Sequence, residues 1–403
     1  MAGSAVAIGV QGAGTAGAQT FGTPVAITGA TVGEPGINVA PNGAIYVDGP
    51  SGLGTGSPVF KSTDGGASWA LTPAGMRGTL PGGGDSNVAV DHRNGTLYMV
   101  DLWLGSATTA RSTDGANSWT AHPVGTPVQD RPWVATASNG DVYLVTHQIP
   151  SGLVVSKSTP PLDGVVYPTS TVAATAADQQ GCVCPPGNII AESGLTGDKV
   201  GVIYATSTGA VKFAGSTNGG LTFTNTNVSP DSAATTNANF PVVADAGSGH
   251  LVAVWMEDFA SNDRVQISQS TNFGSTWSAP QTLVSSTSGT SVYPWVAASG
   301  SKVAVSLYHT STVTTPDNPP AGTQWFETYL ESTNGGSTFT ASVTVDPTAV
   351  KTGPICTGGT GCSANRELLD YQTVTLDLGG HADVAYARSN GSGGVQTMFN
   401  HEA

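Results

Sequence analysis

The chain has 403 residues, 54 of them glycine, a formal net charge of −14 and only 10% charged side chains, against about 25% in an average globular protein. Thirteen Lys and Arg residues without a basic cluster argue against nucleic acid and anionic membranes as partners. No apolar run is long enough for a transmembrane helix, and no window keeps a helical apolar stripe over three turns, so the expectation is an all-β protein of short strands and tight turns.

In chain order, residues 1–20 carry a short apolar run without a basic region before it, and read as a flexible leader ahead of one domain over 21–403. Residues 21–28 (FGTPVAIT) match the outer-strand pattern SAPQTLV at 278–284. Seven apolar strands then start near Gly36, Ser86, Pro132, Asn188, Pro241, Pro294 and Tyr371, about 50 residues apart except for a longer last step. After each of the first six come a turn, two more strands and an outer strand. The seventh unit stops after three strands, at VQTMFNHEA. The expectation is therefore a seven-bladed β-propeller, with six blades as the alternative, in which strand 21–28 completes the last blade and closes the ring.

Five turns punctuate this pattern: STDGGASW at 62–69, STDGANSW at 112–119, STNGGLTF at 216–223, STNFGSTW at 270–277 and STNGGSTF at 332–339, with a degenerate copy at Ser158-Thr159-Pro160. The Asp or Asn at the third position can accept hydrogen bonds from its own turn, and Gly supplies positive φ. These motifs resemble the Asp-box, or bacterial neuraminidase repeat, and the chain resembles sialidase-like propellers over nearly its whole length. The resemblance implies a propeller whose boxes are structural turns away from the active site. The sialidases themselves have six blades, so their catalytic map does not carry over directly.

Strand polarity places the start of each first strand and the end of each second strand together, on the face opposite the boxes. Polar residues concentrate there: Glu34 with Asp48, Asp85 with Asp101, Asp130 and Arg131 with His147, Asn239 with Glu257 and Asp258, Tyr293 with His309, and Arg366, Glu367, Asp370 and Tyr371 with Arg388. Six of them, Glu34, Asp85, Asp130, Arg131, Asp370 and Tyr371, are expected to ring a central depression. The resemblance implies sialidase roles for some: Tyr371 as nucleophile with Glu367 or Asp370, Arg131, Arg366 and Arg388 against a substrate carboxylate, and Asp130 near them. Asp130-Arg131-Pro132 only echoes the family's Arg-Ile-Pro motif. Glu34, Asp85, Asp101, His147, Tyr293 and His309 are the expected substrate contacts. A polysaccharide lyase would instead use His147, His309 or Tyr293 as base and Arg131 to neutralise a uronate. A non-catalytic surface or glycan-binding propeller would stack sugars on Trp103, Trp133, Trp295 or Trp325.

No HExxH, EF-hand loop or CxxC pair occurs, yet the acidic balance suits an oxygen-ligated cation such as Ca²⁺. Four cysteines fall in two close pairs, Cys182/Cys184 and Cys356/Cys362, in the links entering blades 4 and 7. They point to disulfides and to a secreted protein. A local Cys356–Cys362 bond is expected; two cross-links making a lid over the axis are the alternative.

Overall fold

The computed structural model describes residues 19–52, 56–73, 82–103, 105–124, 129–175, 177–178, 186–192, 198–229, 241–259, 262–284 and 287–403. Seven antiparallel sheets form the ring. Blade 1 runs Gly36–Val39, Ile45–Asp48, Val59–Ser62 and Ala70–Leu71. Blades 2 to 5 repeat this order, beginning at Ser86, Gln129, Pro186 and Val242. Blade 6 begins at Thr290, and its third strand pairs with both Val343–Thr344 and Lys351–Thr352. Blade 7 takes Thr373–Leu376, Ala382–Ser389 and Val395–His401 from the C-terminal end, and Val25–Ala26 from the N-terminal end. A bridge between Phe21 and Glu402 extends that seam.

Burial explains the strand sequences. Second strands are covered on both faces, so they read as apolar runs: Leu251 to Met256 are all at most 1% exposed. Outer strands such as Thr169–Thr175 are polar and half open. The core lies between blades, as where Val242, Val252 and Val254 of blade 5 meet Val296, Val303 and Val305 of blade 6. Asparagines on first strands tie neighbouring blades through backbone groups. Asn38 donates to the Val88 carbonyl, Asn87 accepts from Val134 N–H, and Asn188 makes both bonds to Val243.

The repeated turns share one hydrogen-bond scheme. In the first, Ser62 Oγ accepts from Gly66 N–H, while Asp64 accepts from the backbone and hydroxyl of Ser68. Ser332, Asn334, Gly336 and Thr338 keep the two backbone bonds in the last, with the side-chain bond reversed: Asn334 Nδ2 donates to Thr338 Oγ1. Gly66 has φ +86°, and a Cβ there would sit 1.9 Å from the Phe399 ring, so this box glycine packs blade 1 against blade 7. Even the degenerate copy keeps one bond, Gly164 N–H to Ser158 Oγ.

Cys356 and Cys362 form the expected local disulfide. Cys182, Cys184, Asn239 and the leader up to residue 18 lie outside the described residues.

Candidate functional site

The first strands of blades 3 and 6 each carry a bulge. Register slips between Asp130 and Trp133 and again between Val292 and Trp295, both across an X-Pro-Trp sequence. A bulge re-aims a side chain, and here the residue before each proline has a left-handed backbone, φ +37° at Arg131 and +53° at Tyr293. Glu34 (φ +46°) and Leu369 (φ +60°) show the same strain in the links entering blades 1 and 7. Strained non-glycine residues persist where surrounding structure over-determines them and gather at functional sites.

The result is one cluster on the face opposite the boxes. Arg131 is 1% exposed, and its guanidinium lies 3.8 Å from the Trp133 ring centroid and 4.6 Å from that of Tyr371. Its Nη2 donates to Tyr371 Oη at 2.5 Å, and its Nη1 sits 3.5 Å from Glu34 and 3.6 Å from Asp85. Glu34 also accepts from Asp370 N–H, and Asp370 is held by Arg366 through two bonds of 2.5 and 3.2 Å. Trp133, Trp295 and Tyr371 meet at centroid distances of 5.3–5.5 Å. These rings come from the first strands of blades 3 and 6 and from the link entering blade 7, and they join those three blades in one aromatic group. Asp85 and Arg366, each with 29% side-chain exposure, and the partly buried Asp130 stand at the rim.

Burial sets the electrostatics. It pushes the Glu34 carboxyl well above the usual carboxylate range, with Asp370 adding to the rise against the pull of Arg131. Burial, then repulsion from Asp85, raises Asp130 to about 6. Burial also raises Asp370 against its pairing with Arg366, and lifts the Tyr371 phenol far above its ordinary value. Around Arg131, burial opposes the charge, yet Tyr371, Asp85 and Glu34 outweigh it and keep the guanidinium ionised.

The six residues expected to surround a depression are thus brought together, and Arg366 joins them. Tyr293 borders the site but is buried, donating to the Cys356 carbonyl while its own carbonyl accepts from Gln372. Asp48 and Asp101 are buried acceptors: Asp48 takes Ser86 Oγ and Val88 N–H, and Asp101 takes Gly83 N–H and both groups of Ser57. They strap blades 1 and 2 together. His147 pairs with Asp130 in register and is 4% exposed, its imidazole pushed down by burial. His309 contacts Ser291 Oγ. Glu367 is taken by Lys351 and Ser389. Arg388 is taken by Asp346 and Gln396. Their neutralising partners come from the long link before blade 7 and from the adjoining strand, which strand order alone does not place. Trp325 is fully buried, donating to the Gly353 carbonyl.

Gln372 was missed as a site component by strand reasoning. Tyr371, Trp133 and Trp295 were named one by one, under different roles, and not as a single aromatic group; the twin Pro-Trp pairs at 132–133 and 294–295 were its signal in the sequence. Among the described residues, one group has metal-ligand spacing, Asp377, His381 and His401, and it lies on the opposite, box-bearing face.

Neither a protein-family model nor a curated protein matches the chain. Solved structures share its fold at low identity. An ulvan lyase from a new family of polysaccharide lyases, bound to a glucuronate–rhamnose-3-sulfate unit, has a TM-score of 0.52 and 14% identity, over 94% of this chain and 93% of the other. A xyloglucanase from Xanthomonas campestris has a TM-score of 0.54 and 12% identity, over 94% of this chain but 55% of the other. A Hadza microbial sialidase has a TM-score of 0.46 and 15% identity, over 91% of this chain and 65% of its own. The likeness is one of fold.

Proposed function

We propose that this propeller hydrolyses a neutral glycan on the face opposite its boxes, with Asp130 as proton donor and Asp85 as second carboxylate. The observation that carries this is Asp130 itself: a partly buried carboxyl that accepts the Arg131 N–H and that burial and Asp85 lift to about 6, with Asp85, whose side chain is 29% exposed, as its neighbour in the Arg131 cluster. Glycoside hydrolysis generally uses such a pair, one group holding a proton while the other is ionised. The aromatic group would give a sugar ring an apolar surface, and Trp295 is partly exposed.

The charge balance speaks for a neutral rather than anionic substrate. Arg131 is sealed beneath Tyr371 and Glu34, Arg366 is held by Asp370, and Arg388 by Asp346. A sialic acid or uronate carboxylate would meet Asp85 and Asp130, and Arg366 only where Asp370 already neutralises it. That weighs against the sialidase and lyase roles that the sequence suggested for the same residues. The Cys356–Cys362 bond supports export to an oxidising compartment.

The test is a screen of neutral, uronyl and sialyl glycans, reading reducing ends, free sialic acid and the ultraviolet absorbance of unsaturated uronates. Reducing ends from a neutral glycan are expected. Sialic acid release, an unsaturated product, or retention on a glycan array without turnover would each overturn the proposal.

A further inference from the structure

The box-bearing face holds a second constellation, in the blade where the ring closes. The turn Asp377-Leu378-Gly379-Gly380-His381 joins the first two strands of blade 7. It is fixed by Asp377 N–H donating to the His381 carbonyl, and by Asp377 Oδ1 accepting His381 N–H at 2.7 Å. That leaves Oδ2, which lies 3.4 Å from His381 Nδ1. His401 ends the third strand, opposite Asp383, and its ring centroid is 5.7 Å from that of His381. Ligand atoms of Asp377, His381 and His401 all fall within 4.8 Å of one another.

The second observation is what stands behind His401. Asp383 is 0% exposed, and its Oδ1 lies 2.7 Å from His401 Nδ1. Its other oxygen, sealed from solvent, has no hydrogen-bond partner in the structure. In the neutral tautomer, His401 Nδ1–H donates to this carboxylate, and the Nε2 lone pair points away from it. A buried carboxylate behind a histidine fixes the tautomer and makes the other nitrogen a better ligand, the arrangement that commonly supports metal-bound histidine.

We infer that Asp377, His381 and His401 bind a divalent transition metal of the zinc class, with Asp383 as positioning residue. Two imidazoles and one carboxylate suit Zn²⁺ rather than Ca²⁺, which takes six to eight oxygens. Tetrahedral bonds of about 2.0–2.1 Å place ligand atoms about 3.4 Å apart. Rotation of His381, whose side chain is 51% exposed, closes the remaining gap. The metal would clip the hairpin at 377–381 to the third strand, whose His401 carbonyl accepts from Gly22 N–H of the N-terminal segment. It would therefore brace the seam between the two chain ends, apart from the proposed hydrolytic site.

The test uses the full chain, without a histidine tag and stripped with chelator. Co²⁺ is titrated by visible absorption and then displaced with Zn²⁺, and Zn²⁺ binding is measured by calorimetry. One Zn²⁺ per chain is expected, with a melting temperature a few degrees higher in its presence. His381→Ala, at an exposed turn, should lower affinity by ~100-fold or more and keep the melting temperature of the stripped protein. Asp383→Asn should cost about 10–100-fold with stoichiometry and the Co²⁺ spectrum retained. His122→Ala, at another exposed histidine, should change nothing. No binding, or binding that His381→Ala and His401→Ala leave intact, would overturn the inference.

Discussion

Replacing Asp130 by Asn should stabilise the protein while removing its proposed proton donor. Three aspartates of this face, Asp48, Asp101 and Asp130, are raised to about 6 with burial as the first cause. They differ in what they hold. Asp48 and Asp101 each accept at least one side-chain and one backbone hydrogen bond from neighbouring segments. Asp130 accepts the N–H of its own neighbour Arg131 at 2.9 Å, a bond that an Asn oxygen can keep. What Asn removes is a charge next to Asp85 and Asp370. A rise from 3.8 to about 6 corresponds to ~3 kcal/mol by linkage. Burying a neutral amide offsets part of it, leaving a gain of about 1–3 kcal/mol. The sign follows from the raised pKa: the folded state holds the proton more tightly than the unfolded chain. Below about pH 4 both states are protonated and only the cost of burying the amide remains; the gain grows between about pH 4 and 6 and levels off above. Urea unfolding of both proteins at pH 4, 5, 6 and 8 measures this directly. An Asp130→Asn protein less stable at pH 8, or one whose difference ignores pH, would refute the reasoning.

Tyr371→Phe takes away the hydroxyl that the buried Arg131 donates to, and urea unfolding should show a loss of about 1–3 kcal/mol while the circular dichroism spectrum is kept. Ser86→Ala leaves the buried Asp48 carboxylate without its 2.7 Å donor, and urea unfolding should show a loss of about 1–3 kcal/mol. Gly66→Ala puts a Cβ into the Phe399 ring at positive φ, and should depress the melting temperature far more than Asp64→Asn, because Asn fills that box position in the last three repeats. Peptide mapping without reduction should recover Cys356 and Cys362 in one linked fragment.

The blades were legible because their signals are local. Each box carries its own hydrogen-bond scheme within seven residues of chain, from Ser332 to Thr338 for instance, and the apolar second strands announce burial on both faces. Closure by residues 21–28 was legible because that segment copies an outer strand. The side-chain cluster around Arg131 was legible to the level of a face, since strand polarity decides which ends share it. Which residues on that face would meet was not. Arg131 reaches Tyr371 because a bulge turns its backbone left-handed, and a bulge is a property of two strands in register. Glu367 and Arg388 follow the same strand logic but are claimed by Lys351 and Asp346. The Asp377–His381–His401 group escaped motif reading because one ligand comes from a different strand, twenty residues on from His381.

The central claim is that Asp130 donates a proton to the leaving oxygen of a glycan. The direct measurement compares wild type and Asp130→Asn on two substrates: the neutral glycan found by screening, and an aryl glycoside of the same sugar with a good leaving group. A loss of about 10²–10⁴ is expected on the glycan, with a much smaller loss on the aryl glycoside, whose departure needs little protonation. Equal losses on both substrates, or none on either, would contradict it.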